Sequence, residues 1–135
     1  MVRLIHKAAK IAYEAVKAMV AQIEAAKAKH AKIDVVMLAG NHDPDATSLM
    51  AIALMMRFDG DPRVTVHFHP RKLWCWQFGR VLLSAHHGDK TKPERLVMQV
   101  ADDYAEIWGA THWRHLDTGH IHHDHGKDIG GCYWQ

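Results

Sequence analysis

The sequence predicts an α/β chain, a layered sheet flanked by helices, and three observations carry that expectation. Apolar residues Leu4, Ala8, Ile11, Ala15, Met19, Ile23 and Ala26 recur at steps of three and four, the period of an amphipathic helix. Ile33 to Ala39 is a nearly continuous apolar run rich in β-branched residues, the pattern of a strand buried on both faces. From Val64 to Ala85 short alternating or aromatic runs follow one another, two of them separated by Gly79-Arg80, a tight-hairpin signal. At 135 residues, a single domain spanning 1–135 is expected.

The elements can be justified in order. The first helix runs from Arg3 to about Lys32, with Lys7, Lys10, Glu14, Lys17 and Glu24 on its solvated face and alanine filling much of the rest. After the strand Ile33 to Ala39 and Gly40 comes the loop Asn41 to Ala46. Asp45 or Thr47 then caps a second helix that stops near Phe58, before Asp59-Gly60-Asp61-Pro62. Its run Leu49 to Met56 is apolar throughout, which predicts a mostly buried helix. Strands follow at Val64 to Phe68, Leu73 to Phe78 and Val81 to Ala85. Pro93 opens a third helix to about Trp108, closed by Gly109. His115 to Thr118 and Ile129 to Trp134 supply short terminal strands around a polar histidine loop.

Composition narrows the function classes. Seventeen basic residues against fifteen acidic give a net charge of +2, which does not suggest a strongly electrostatic nucleic-acid or membrane binder. The longest apolar run, Leu49 to Met56, falls far short of the roughly 20 residues that cross a bilayer, and no secretory signal is legible at the N-terminus. A cytoplasmic location with no membrane partner is the expectation. Cys75 and Cys132 make no disulfide framework or CxxC pair and read as reduced and inert.

Histidine is the outlier: there are thirteen, eight of them between His86 and His125. Scattered members such as His6, His30, His112 and His115 read as ordinary surface or core-edge residues. Three clusters do not. Gly40-Asn41-His42-Asp43 follows the strand Ile33 to Ala39, His86-His87-Gly88-Asp89 follows Val81 to Ala85, and Gly119-His120-Ile121-His122-His123 follows the strand ending at Thr118. Each is a strand-to-loop corner with a glycine to turn on, and ligands of open α/β sheets bind beyond the carboxyl ends of strands. Amide oxygen and imidazole suit a divalent ion such as Mn, Zn or Fe. Such an ion acidifies a bound water and polarises a phosphoryl oxygen, the two effects that phosphoester hydrolysis uses.

The motifs GNHD at 40–43, HHGD at 86–89 and GHIHH at 119–123 resemble, in order, the later motifs of the calcineurin-like metallophosphoesterase superfamily. The runs LLSAHHGD, WGAT and TGHIHH are similar to phage and prophage metallophosphoesterases. The resemblance implies a truncated form of that layered sheet, with a metal site at the C-terminal ends of its strands, holding one or two ions. It implies Asn41, His87 (rather than His86) and His120 as ligands of one metal and His122 as a ligand of its neighbour. His42 would protonate the leaving oxygen or steady the transition state, with Asp43 orienting it. His123, Asp124 and His125 have no assured role, though a carboxylate from Asp43, Asp124 or a second copy is a candidate to complete the ligand set.

The family's D-x-H and G-D-x-x-D motifs, expected ahead of the first helix, are missing, and with them the bridging aspartate and two core strands. The resemblance therefore implies a minimal form with exposed sheet edges that associates with a second copy as a homodimer. The function expected is metal-dependent hydrolysis of a phosphoester, a phosphodiester in particular, with a nucleotidic substrate one candidate. Two alternatives stand beside it: a catalytically impaired metal-binding or oligomerising remnant, and a hydrolase or redox centre built on one iron. Trp74, Trp76 and Trp113 are candidates for stacking on a base, though aromatic residues on strands more often serve core or interface. Arg71, Lys72 and Arg80 are candidates for phosphate contact, though they read first as solvated loop charges.

Overall fold

The computed structural model describes residues 2–40, 44–68, 72–120 and 126–135. Among them the chain is mixed α/β, with helices α1 (Val2–Lys27), α2 (Pro44–Arg57), α3 (Pro93–Asp103) and α4 (Ala105–Ala110). The strands are β1 (Ile33–Met37), β2 (Val64–Phe68), β3 (Leu73–Phe78), β4 (Val81–His86), β5 (Trp113–Thr118), β6 (Lys127–Ile129) and β7 (Cys132–Trp134). The strands divide between two sheets rather than joining one, and the chain forms two compact units: Met1–Met37 with His42–His69, and Leu38–Asn41 with Pro70–Gln135. No helix of the described residues is long and apolar enough to cross a membrane.

The first unit is built on β1 and β2, paired in parallel from Ile33↔Val64 to Met37↔Phe68, with α2 as the crossover that a parallel pair requires. Of the expected α1 stripe, Met19 and Ile23 enter a core shared with Leu54, Phe58, Val64 and the inward residues of β1; Val16 and Val20, outside that stripe, join them, and Ile11 is exposed. α1 stops at Lys27 instead of running to Lys32. The Lys27 ammonium turns to Glu24 (2.9 Å) and Asp61 (2.7 Å), and the Arg63 guanidinium donates to the Lys27 carbonyl at 3.3 Å.

α2 is not mostly buried. Ala51, Leu54 and Phe58 are, but Leu49, Ile52, Met55 and Met56 are exposed, because an apolar run that surrounds a helix cannot bury more than one face against a two-stranded sheet. The helix starts at Pro44, ahead of both expected caps, as fits a proline in the first turn. β1 ends at Met37, short of Ala39, and Asp34 lies exposed on it, so the strand is not buried on both faces.

The second unit is a five-stranded mixed sheet in the order β3-β4-β5-β7-β6. β3 and β4 form the expected hairpin from Leu73↔His86 to Phe78↔Val81. Gly79 holds φ +58 at the first turn position, where a type II′ turn favours glycine. Alternation along β4 sends Leu82, Ser84 and His86 inward, where Leu82 packs with Leu116, Cys132, Trp134 and the α3 residues Leu96, Val97 and Val100. The buried Ser84 hydroxyl donates to the His115 carbonyl at 2.8 Å and leaves no orphan.

Two expectations fail here for identifiable reasons. The helix from Pro93 breaks at Tyr104 (φ −125, ψ 40), where Asp102 and Asp103 place negative charge at a helix C-terminus and the Tyr104 hydroxyl donates to the Leu73 carbonyl at 3.3 Å. Gly109 does not close the second piece. Thr111 Oγ1 donates to the carbonyl of Ile107 at 2.8 Å, and the Arg114 guanidinium donates to those of Trp108 and Thr111 at 2.9 Å, so side chains satisfy the last turn. Ile129 to Trp134, in turn, is not one strand: Gly130 and Gly131, at φ +59 and +80, fold it into the hairpin β6–β7, as a type I′ turn requires.

Candidate functional site

β4 and β5 run parallel with His86 opposite Thr118, so their carboxyl ends lie side by side and the corners that follow them meet. The His87 carbonyl accepts the amide N–H of Gly119 at 3.3 Å and of His120 at 2.8 Å, carrying the contact one step beyond the strands. Gly88 crosses at φ +89, and a Cβ there would stand 3.2 Å from Cβ of Thr118 and 3.5 Å from Cβ of His120. Both the backbone angle and the approach call for glycine.

The two histidines of the first corner are used differently. His86 is buried, and its Nδ1 accepts the Gly88 N–H at 2.8 Å, which puts the proton of the neutral ring on Nε2. Burial pushes its pKa below the ordinary imidazole value, with the Asp89 carboxylate acting in the opposite direction. His87 is half-buried, and its ring meets that of His120 edge to face, centroids 5.1 Å apart and planes at 67°. Gly40 of the first motif lies against the same ring: a Cβ added there would be 3.5 Å from Cε1 and 3.7 Å from Nε2 of His87. Thus each of the three motifs brings one residue to this place.

Asp89 lies just beyond, 4% exposed, with Lys72 Nζ at 2.9 and 3.1 Å from its two oxygens. That ammonium holds the Asp89 carboxyl below its usual range against the opposing effect of burial. From sequence alone Lys72 reads first as a solvated loop charge and Asp89 has no role. A partner seventeen residues away leaves no local signal, although the carboxylate was visible within HHGD.

Of the expected site residues, His87 and His120 are thus brought together. Asn41, His42, Asp43 and His122 lie outside the described residues, as do Arg71, His123, Asp124 and His125. Among the described residues no three His, Cys, Asp or Glu side chains gather as a metal-holding group. The 5.1 Å between the two rings can still be set against that of two imidazoles on one ion. With metal–nitrogen bonds of about 2.0–2.1 Å and a tetrahedral angle, two imidazoles on one ion have ring centres about 5 Å apart. No family model, no curated protein and no solved structure matches this chain.

Proposed function

We propose that this chain is a calcineurin-like metallophosphoesterase that hydrolyses phosphodiesters, with Asn41, His87 and His120 holding one divalent ion and His122 serving a second. The observation that carries the reading is the meeting of the His87 and His120 rings at 5.1 Å, with Gly40, the residue before Asn41, against the Cε1 edge of His87. Imidazole and amide donors suit Mn, Zn or Fe, and such an ion, when bound, supplies an acidified water and a polarised phosphoryl oxygen.

The chain's own contributions are positional. The His87 carbonyl, bonded to the His120 N–H, fixes the distance between the two corners. His86, neutral and turned inward, accepts the Gly88 N–H and keeps that corner bent. Lys72 occupies both oxygens of Asp89, so the buried carboxylate beside the histidines is matched by a cation of the chain itself. The resemblance adds His42 as the residue that delivers a proton to the leaving oxygen, with Asp43 as its carboxylate partner.

The test uses the full chain loaded with Mn, Zn or Fe and a bis-aryl phosphodiester as substrate. Expected are ion binding by calorimetry and turnover that falls at least about 100-fold in His120→Ala and His87→Ala. Tight ion binding without turnover above the His120→Ala background overturns hydrolysis and leaves the metal-binding remnant. Failure to bind any of the three ions overturns both.

A further inference from the structure

On the sheet face opposite the α3 core, a cavity of about 420 Å³ opens beside β5, and nothing in the proposed reaction uses it. Its volume lies within the range of small-molecule sites, roughly 300–1,000 Å³. Its walls are aromatic and its floor carries an oriented acceptor. Trp113 is 67% exposed and Tyr133 45% exposed, and both line the space. The His115 ring lies against Tyr133, centroids 5.3 Å apart and planes at 34°. Asp117 Oδ1 meets His115 Nε2 at 3.0 Å and accepts from Gln135 Nε2 at 2.8 Å, while Oδ2 is bonded to none of the described residues.

We propose that this cavity binds a nucleobase, which stacks on Trp113 and Tyr133 and donates its N–H groups to Asp117. The acceptor decides the class. A phosphate would face a carboxylate, and the Arg114 guanidinium is turned to Trp108, 4.3 Å from its ring centre, with Nη2 donating to the Trp108 and Thr111 carbonyls at 2.9 Å. A flat ring with edge donors satisfies both features, since aromatic stacking is tolerant of the base while the two lone pairs of Oδ2 can accept from two adjacent N–H groups. Guanine, with adjacent ring and amino N–H groups, matches best.

The position suits one end of a nucleotide. Asp117 pairs with Ala85 across the sheet, two residues before His87, and stands three residues before His120. At about 3.3 Å per residue this sets the base roughly 7–10 Å from the histidine pair, measured along the strands. As the base subsite of a phosphodiesterase the cavity rests on the proposed function. As a nucleoside site it does not.

The experiment titrates guanosine and cytidine into metal-free protein and follows the tryptophan indole N–H signals by heteronuclear NMR. Expected is a saturable shift of the Trp113 signal, tighter for guanosine, with affinity reduced at least tenfold in Asp117→Asn and, followed by calorimetry, in Trp113→Ala. The same spectra verify that Asp117→Asn is folded, and Trp113→Phe should recover most of the affinity. Absence of a saturable shift, or affinity unchanged in both Asp117→Asn and Trp113→Ala, overturns the base site. Hydrolysis of a bis-aryl phosphodiester, which carries no base, reports separately on the proposed function. Turnover without guanosine binding therefore sinks this inference alone, and guanosine binding without turnover upholds it while the hydrolase reading falls.

Discussion

The main-chain carbonyl of His87 accepts the His120 amide at 2.8 Å, so the two imidazoles are spaced by backbone as well as by their own contact. Peptide groups of neighbouring parallel strands set that spacing, and it is rigid to the extent that the sheet is. The corner can close so tightly only because the residue between His87 and Asp89 has no side chain.

Gly88→Ala should accordingly destabilise the second unit. It places a Cβ 3.2 Å from that of Thr118 on a backbone at φ +89, a region that costs side chains about 1–3 kcal/mol before any clash. Urea unfolding should show a loss of at least that size, with ion affinity falling in the fraction that stays folded. Gly79→Asn is the control: its φ is +58, nothing lies within 4 Å of the added Cβ, and a loss under about 1 kcal/mol is expected. Equal losses at the two positions would remove the argument for a strained corner.

The cysteines should be silent until the chain unfolds. Burial pushes both thiols up to about 11, with each buried in the core of the second unit, so at pH 7.5 only about one in three thousand is thiolate. A disulfide reagent at that pH should titrate neither Cys75 nor Cys132 in native protein within minutes, and both at once in urea. Rapid modification of either in native protein would show that this core opens.

What could be read in advance follows from the range over which each signal acts. The first helix, the glycine hairpin at Gly79 and the strand at Val64–Phe68 rest on local signals, and all three reappear. The break at Tyr104 depends on a hydroxyl reaching Leu73, and the end of α1 depends on Asp61 and Arg63, partners that no short window contains. Two glycines in a row at 130–131 were a local turn signal inside an assumed strand, and the turn won. At the site, motif spacing placed His87 and His120 at adjacent strand ends. The Lys72–Asp89 pair and the cavity beside Trp113 arise only from strand pairing, which brings together residues far apart in sequence.

The first unit should show a stability plateau bounded by the Lys27 cluster. Hydrogen bonding to Lys27 holds Glu24 and Asp61 below their usual range, the Arg63 amide adding to the effect on Asp61, and the same bonds, that of Asp61 foremost, raise Lys27. For the depressed carboxyls, the stabilisation is present above their unfolded values, about 3.9 and 4.3, and is lost as pH falls through the lower folded ones. For Lys27 it is complete below the unfolded value, about 10.4, and is lost as pH rises through the higher folded one. Lys27→Met keeps an unbranched stem beside Phe58 and removes the charge. The urea midpoint of wild type should exceed that of Lys27→Met by a constant margin between about pH 6 and 9, and the margin should shrink at both ends. A margin independent of pH would mean that Lys27 acts through packing alone.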